Sequence, residues 1–298
     1  MTNIFTSHLA LFVANLIYAL TFTLAKDVMP ETISPIGFIL LRVSGAMLLF
    51  HMFHYIFVRE KVKPSDYLIL TLCGIFGVAI NMSFFFLGLN YTTPIHAAVT
   101  MTSAPIIIFI LAVIFHGETK SSYRILGVIL GALGAIILAV YGRQFETGNP
   151  NLALGNLFVL INAFSYALYL TMVKPLMSRY HFLTLMKWVF TVGFFAILPF
   201  GYHDVMVVKW DQISNRIWAE IAFVVIGTSF LAYMLNIFAL KRLRASTVGF
   251  YIYLQPVLAT IIALMLGSDK LDAVKVIASV IIFLGVYLVG RKPKTEVY

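Results

Sequence analysis

The side chains with the most chemical reach sit inside long apolar stretches. Asn162, Tyr166 and Tyr169 follow an i, i+4, i+7 spacing, which places them on one helix face. Tyr18 and Thr21 hold the matching face of the first apolar run. A buried phenol needs a hydrogen-bond partner while its ring offers stacking surface. Such a wall suits a small amphiphilic molecule that is bound and released unchanged. Asn81 with Phe85, and Asn236 with Tyr233, mark two further runs. An amide in lipid is left with unpaired donors, so both must face protein or water; helix-to-helix hydrogen bonding is the competing role. Trp188 follows Lys187 near another run's start, and Tyr251 shares a face with Gln255. His96 follows Pro94, with Thr100 and Ser103 at i+4 and i+7. Its type alone among these titrates near neutrality and could relay a proton. Pro105 and Pro256 each remove a helix hydrogen bond and kink the backbone, so they are the expected hinges.

Together Tyr18, Asn81, Phe85, His96, Thr100, Tyr166, Tyr169, Trp188, Asn236 and Tyr251 form the expected substrate-binding set. No catalytic residue, metal ligand or cofactor site is expected. The 12 carboxylates all fall in connections or near run ends, which disfavours a carboxylate-coupled mechanism. It leaves facilitated diffusion or proton coupling through a histidine. There is no His-Glu-x-x-His pair and no phosphate-binding Gly-rich loop. The chain is therefore expected not to be an enzyme. The alternatives are a polytopic enzyme acting on lipid-linked substrates, and a membrane scaffold or sensor. Arg42 lies about two turns inside its run. Such a guanidinium snorkels to the interface or faces a cavity and attracts a carboxylate; the structural role is the expected one.

The surrounding elements must be membrane helices. Apolar residues make up 61% of the 298 and charged residues 11%, against about 45–50% and about 25% in soluble domains. Mean hydropathy is +0.96. Ten runs are long enough to span hydrocarbon, at about 8–25, 35–57, 67–89, 94–115, 123–141, 152–173, 182–200, 217–239, 246–266 and 271–290. Lipid leaves backbone groups unsatisfied outside helices and closed barrels, and these runs are twice the length of barrel strands. The expected fold is an all-α membrane protein of ten transmembrane helices. With the N-terminus inside, 14 Lys and Arg fall on the cytoplasmic side and 6 outside, so both termini are expected to be cytoplasmic. The stretch Met1 to His8 has no Lys or Arg, so the first run is expected to be a retained helix. The net charge of +9 is read as membrane topology, and no nucleic-acid partner is expected. Cys73, the single cysteine, cannot form an intrachain disulfide.

The chain also repeats itself. At an offset of 148, Tyr18, Ala19, Leu20, Thr23 and Lys26 match Tyr166, Ala167, Leu168, Thr171 and Lys174. At an offset of 151, Pro105 pairs with Pro256, Glu118 with Asp269 and Gly134 with Gly285. Two copies of five spans are implied, at 1–145 and 146–298. An odd number of spans makes the second copy enter the membrane upside down, the inverted-repeat plan of secondary transporters. Gly127-x-x-x-Gly131 provides a close-contact face. A monomer is expected, with a dimer through that face as the alternative.

The stretch Thr92-Thr93-Pro94-Ile95-His96-Ala97-Ala98, then Ser103-Ala104-Pro105, Gly117-Glu118 and Gly127 to Gly134, resembles the fourth and fifth helices of an EamA domain. Ala245-Ser246-Thr247, Gln255-Pro256, Asp269 and Gly285 echo it in the second copy, and Arg42 is similar to an arginine of the family's second helix. The resemblance is to the EamA branch of the drug/metabolite transporter superfamily and covers nearly the whole chain. It implies an exporter of small metabolites, amino acids foremost, in a bacterial-type cytoplasmic membrane. The aromatic lining adds aromatic or amphiphilic substrates. The transport expected is alternating access through a central cavity between the copies.

Overall fold

The computed structural model describes residues 2–29, 31–91, 97, 100–118, 121–140, 152–265 and 272–290. Among them there is helix and no strand. In chain order the helices are α1 (Thr2–Val28), α2 (Pro35–Phe57), α3 (Tyr67–Gly74), α4 (Asn81–Tyr91), α5 (Ser103–His116), α6 (Ser122–Val140), α7 (Leu152–Val173), α8 (Phe182–Met206), α9 (Asn215–Phe223), α10 (Tyr233–Leu240), α11 (Ala245–Phe250), α12 (Leu254–Met265) and α13 (Ala273–Gly290). Three pairs are continuous rods. A π-helical segment, Ile75–Ile80, joins α3 to α4. A second, Val224–Ala232, joins α9 to α10. A single 3-10 turn, Tyr251–Tyr253, joins α11 to α12.

Among the described residues, seven helical stretches are long and apolar enough to cross a membrane: Ile4–Thr21, Pro35–Phe57, Pro64–Gly88, Ala153–Ser178, Phe182–Met206, Asn215–Leu240 and Ala245–Ile262. The fourth, fifth and tenth expected runs hold apolar helices below that length, Ser103–His116, Ser122–Ile137 and Ala273–Val289. The fourth run differs from expectation because the helix is interrupted at Thr102. The seventh run is longer than expected. Pro199 lies inside α8, which continues to Met206, so the connection after it is short. There Trp210 stacks on Trp218 with ring centroids 5.6 Å apart.

Side-chain caps start the paired helices α2 and α8. Ser34 accepts from the Gly37 N–H ahead of α2, and His181 accepts from the Leu183 N–H ahead of α8. Each satisfies a backbone donor that helix geometry leaves free. Gly117, with φ of 62°, ends α5 in the left-handed region that only glycine enters cheaply.

The packing of the two halves follows one pattern. α4 packs on α7, and α10 packs on α1. α5 packs on α7, and α12 on α1. α3 lies against α8, and Val224–Ala232 against α2. Helices α2 and α8 pair with each other, as do α6 and α13. Each contact recurs with the halves exchanged. In the α6–α13 pair the backbones touch: a Cβ on Gly285 would lie 2.7 Å from the Gly127 carbonyl oxygen and from the Gly131 nitrogen. The Gly127-x-x-x-Gly131 face is thus filled from within the chain. Apolar side chains such as Leu48, Ile114, Phe115, Phe195 and Phe200 project outward, as lipid contact requires.

Candidate functional site

Polar side chains converge where the two π segments face the helices of the opposite half. A π turn shifts the backbone ladder and leaves carbonyls that need other donors. At Ile75–Ile80 those donors come from elsewhere in the fold. Ser165 Oγ donates to the Phe76 carbonyl at 2.5 Å. The Tyr233 hydroxyl donates to the Gly77 carbonyl at 3.2 Å and reaches Asn81 Oδ1 at 3.5 Å. Asn162 Nδ2 donates to the Asn81 carbonyl at 2.7 Å, and Asn81 Nδ2 returns a bond to the Asn162 carbonyl at 3.4 Å. Asn162 Oδ1 is buried without a partner among the described residues.

At Val224–Ala232 the chain supplies its own donor. Ser229 Oγ donates to the Val224 carbonyl at 3.1 Å. The same hydroxyl accepts from Arg42 Nε at 2.8 Å. Arg42 is only 5% exposed, so it does not snorkel, and its guanidinium lies 5.6 Å from the Phe86 ring centroid. Thr21 and Thr228 share a hydroxyl hydrogen bond of 2.5 Å. Asn236 Nδ2 donates to the Tyr18 hydroxyl at 3.0 Å. Tyr18 and Tyr233 are the two phenols close enough to interact electrostatically with Arg42.

Tyr18, Asn81 and Asn236 therefore enter one polar seam, with Arg42, Ser229 and Tyr233 added by the fold. Tyr166 borders it, half-buried, with its ring 6.1 Å from that of Tyr169. Tyr169 itself is packed away at 1% exposure, its ring against Gly77. Phe85 stands edge-on to Phe86 at 5.4 Å. Trp188 lies elsewhere, edge-on to Tyr67 at 5.0 Å. Tyr251 pairs with His8 Nδ1 at 2.8 Å, while the neighbouring Gln255 donates to Asn15 Oδ1 at 3.0 Å. These two bonds tie α12 and its turn to α1. Thr100 is half-buried, and its carbonyl accepts from Ser103. His96 lies outside the described residues. Pro105 and Pro256 each follow a helix break by three positions, and the breaks touch: the Tyr253 hydroxyl donates to the Thr102 carbonyl at 3.1 Å.

Near one end of this region side chains of the first half bond to the second, and Lys174 braces the second half from within. Glu118 accepts from the Ser246 hydroxyl and, at 3.5 Å, from its N–H. Lys174 Nζ donates to the carbonyls of Leu240 and Leu243, which are free at a helix end. His116 Nε2 sits 3.0 Å from the Thr171 carbonyl.

The EamA-like transporter family profile matches residues 5–140 and again residues 153–291. The chain belongs to the EamA-like transporter family. One match to each half accords with the exchange pattern of the packing. Relatives of this EamA-like chain include an uncharacterized transporter of Archaeoglobus fulgidus, 28% identical over 260 residues covering 87% of this chain and 90% of that protein. The uncharacterized transporter YyaM of Bacillus subtilis is 25% identical over 234 residues, covering 76% and 75%. A WAT1-related protein of Arabidopsis thaliana is 22% identical over 304 residues, covering 91% and 79%. One crystal structure matches the fold with a TM-score of 0.77 at 17% identity, covering 95% of this chain and 97% of the other. The EamA-like chain is thus a multi-pass membrane transporter. Sequence reasoning missed Ser229, Thr228 and the Glu118–Ser246 pairing. The Gly227-Thr228-Ser229 triplet in an otherwise apolar run was the available signal.

Proposed function

We propose that this chain carries small metabolites, amino acids foremost, across a bacterial-type cytoplasmic membrane by alternating access between two inverted five-helix copies. The copies occupy 1–145 and 146–298 and make ten spans, with both termini cytoplasmic. The chief support is the seam itself. Its polar atoms come from both halves, so rocking one half against the other opens or closes it. The two touching helix breaks, each followed by a proline, provide the flexing points. The Glu118–Ser246 and His116–Thr171 contacts join the two copies at the end assigned to the cytoplasm. The substrate is a small molecule, no cofactor takes part, and the working unit is one chain.

Flux of labelled amino acids into proteoliposomes tests this reading. Tyr166→Ala and Asn236→Ala are expected to lose transport while inserting and folding normally. Normal flux in both variants would overturn the site assignment. Topology is tested separately in a Cys73→Ser background. An impermeant maleimide added to intact cells should label Gln212→Cys and spare Ser178→Cys. Labelling of Ser178→Cys alone overturns the cytoplasmic placement of the termini, and labelling of both overturns the crossing of α8 on which the ten-span count depends.

A further inference from the structure

Arg42 is the least compensated charge in the seam. It is nine-tenths buried, and no described carboxylate forms an ion pair with it. Nε is bonded to Ser229. The terminal guanidinium nitrogens have no hydrogen-bond partner among the described residues. They are also absent from the polar atoms sealed without a partner, so they border open space. An isolated cation taken out of water is costly unless an anion and hydrogen-bond acceptors meet it. The groups that meet the ion are the Ser229 hydroxyl, by a hydrogen bond, and the phenols of Tyr18 and Tyr233, electrostatically. Helix α8, packed on α2, carries no charged residue from Trp188 to Gly201. The ring of Phe86 lies against the guanidinium, and the Ser229 bond fixes its plane. A guanidinium held in this way presents a planar fork of donors, which fits a carboxylate in two-point fashion.

We propose that Arg42 is the anion-recognition subsite of the seam and binds the carboxylate of the transported molecule. This rests on the transport reading and narrows it to substrates with a free carboxylate. Tyr18, Tyr233 and Asn236 surround that group, and the half-buried Tyr166 ring is left for the substrate's body. Arriving carboxylate neutralises the lone charge, so the loaded seam is the lower-energy state for closure.

The test uses the full chain in phosphatidylcholine nanodiscs, which exclude anionic headgroups as the source of the anion. A panel of amino acids and 2-oxo acids, each paired with its carboxamide, is screened by thermal shift. Carboxylates are expected to raise the unfolding temperature, and their amides are not. Arg42→Gln should weaken carboxylate binding by about tenfold to a hundredfold, the usual range for a lost charge-assisted pair. Arg42→Lys should keep a weaker preference, and Ser229→Ala should keep the preference because the charge remains. Should Arg42→Gln fail to fold, Arg42→Lys decides: carboxylate binding as tight as in the wild type overturns the subsite. Equal binding of amides, unchanged carboxylate binding in Arg42→Gln, or no carboxylate binding at all overturns the subsite. Proteoliposome flux separates the two ideas. Uptake without carboxylate preference removes the subsite and leaves transport standing, whereas no uptake of any panel member removes both.

Discussion

The two π segments occupy matching places, yet they are held by opposite means. At an offset of 148, the α7 face Asn162, Ser165 and Tyr169 corresponds to Ala14, Ile17 and Thr21 of α1. In the first seam α7 brings the polarity. Its Ser165 and Asn162 satisfy backbone carbonyls of the π region, and Tyr169 fills the space that Gly77 leaves. In the second seam α1 is mostly apolar, and the π segment brings Thr228 and Ser229. The repeat preserves backbone shape and helix order while exchanging which partner carries the hydroxyls. Ser229 of the second seam is the residue that accepts from Arg42. A duplicated fold thereby becomes asymmetric in its polar contacts.

The largest expected effect tests this difference at two glycines 150 positions apart. A Cβ on Gly77 would lie 2.5 Å from Tyr169 Cδ2, while one on Gly227 meets nothing closer than Ile17 Cγ2 at 3.5 Å. Gly77→Ala should destabilise by about 1–3 kcal/mol, the usual cost of overpacking. Gly227→Ala should be neutral or stabilising by up to about 1 kcal/mol, from helix propensity. Thermal unfolding in detergent reads both. Adding Tyr169→Leu should recover part of the Gly77→Ala loss. Equal effects at the two glycines would mean that the seams are not packed differently.

A smaller effect comes from the hydroxyls. Ser165→Ala strands the buried Phe76 carbonyl and should cost about 1–2 kcal/mol. Thr21→Val removes one side of a hydroxyl pair whose partner is not stranded against the backbone in the same way. It should cost about 0.6 kcal/mol, the average for such bonds between membrane helices. If Thr21→Val proves the more damaging, the second seam depends on α1 after all.

Much of this architecture was visible in the residue pattern. Apolar runs of membrane-spanning length place the helices, because lipid forces the backbone to bond within each run. The match of Tyr18-Ala19-Leu20 with Tyr166-Ala167-Leu168 locates the two copies. What escaped is what depends on shifts of the ladder within a helix. The first π turn meets Ser165 and Tyr233 of the opposite half, the break at Thr102 meets Tyr253, and α8 runs on through Pro199. Periodicity along one run does not carry that information. The site was legible by type and not by pairing. Tyr18, Asn81 and Asn236 were recognisable as buried polar groups, but their partners lie 81 to 218 positions away. Tyr169 looked like a lining residue since it shares a face with Tyr166; the gap at Gly77 draws it into the core instead.

The halves differ again at the helix caps, and there the smallest effect is expected. Ser34 and His181 open the paired helices α2 and α8. Ser34 does not titrate, and it also donates to Asp204. His181 caps through a ring nitrogen that must carry a lone pair to accept the Leu183 N–H at 3.3 Å. Burial holds its imidazole below the usual histidine range; the Lys241 ammonium adds to this and the Glu60 carboxylate opposes it. The folded chain therefore binds this proton more weakly than the unfolded chain does. The contribution of the neutral ring is complete above about pH 6.5, the unfolded value. It is lost as pH falls below that toward the folded value. Unfolding temperatures at about pH 8 and about pH 5.5 should diverge more in the wild type than in His181→Ser, which caps without titrating. Ser34→Ala should lower both temperatures equally, by the loss of a cap worth about 1 kcal/mol. An unchanged pH dependence in His181→Ser would show that the cap at α8 is as indifferent to protons as the one at α2.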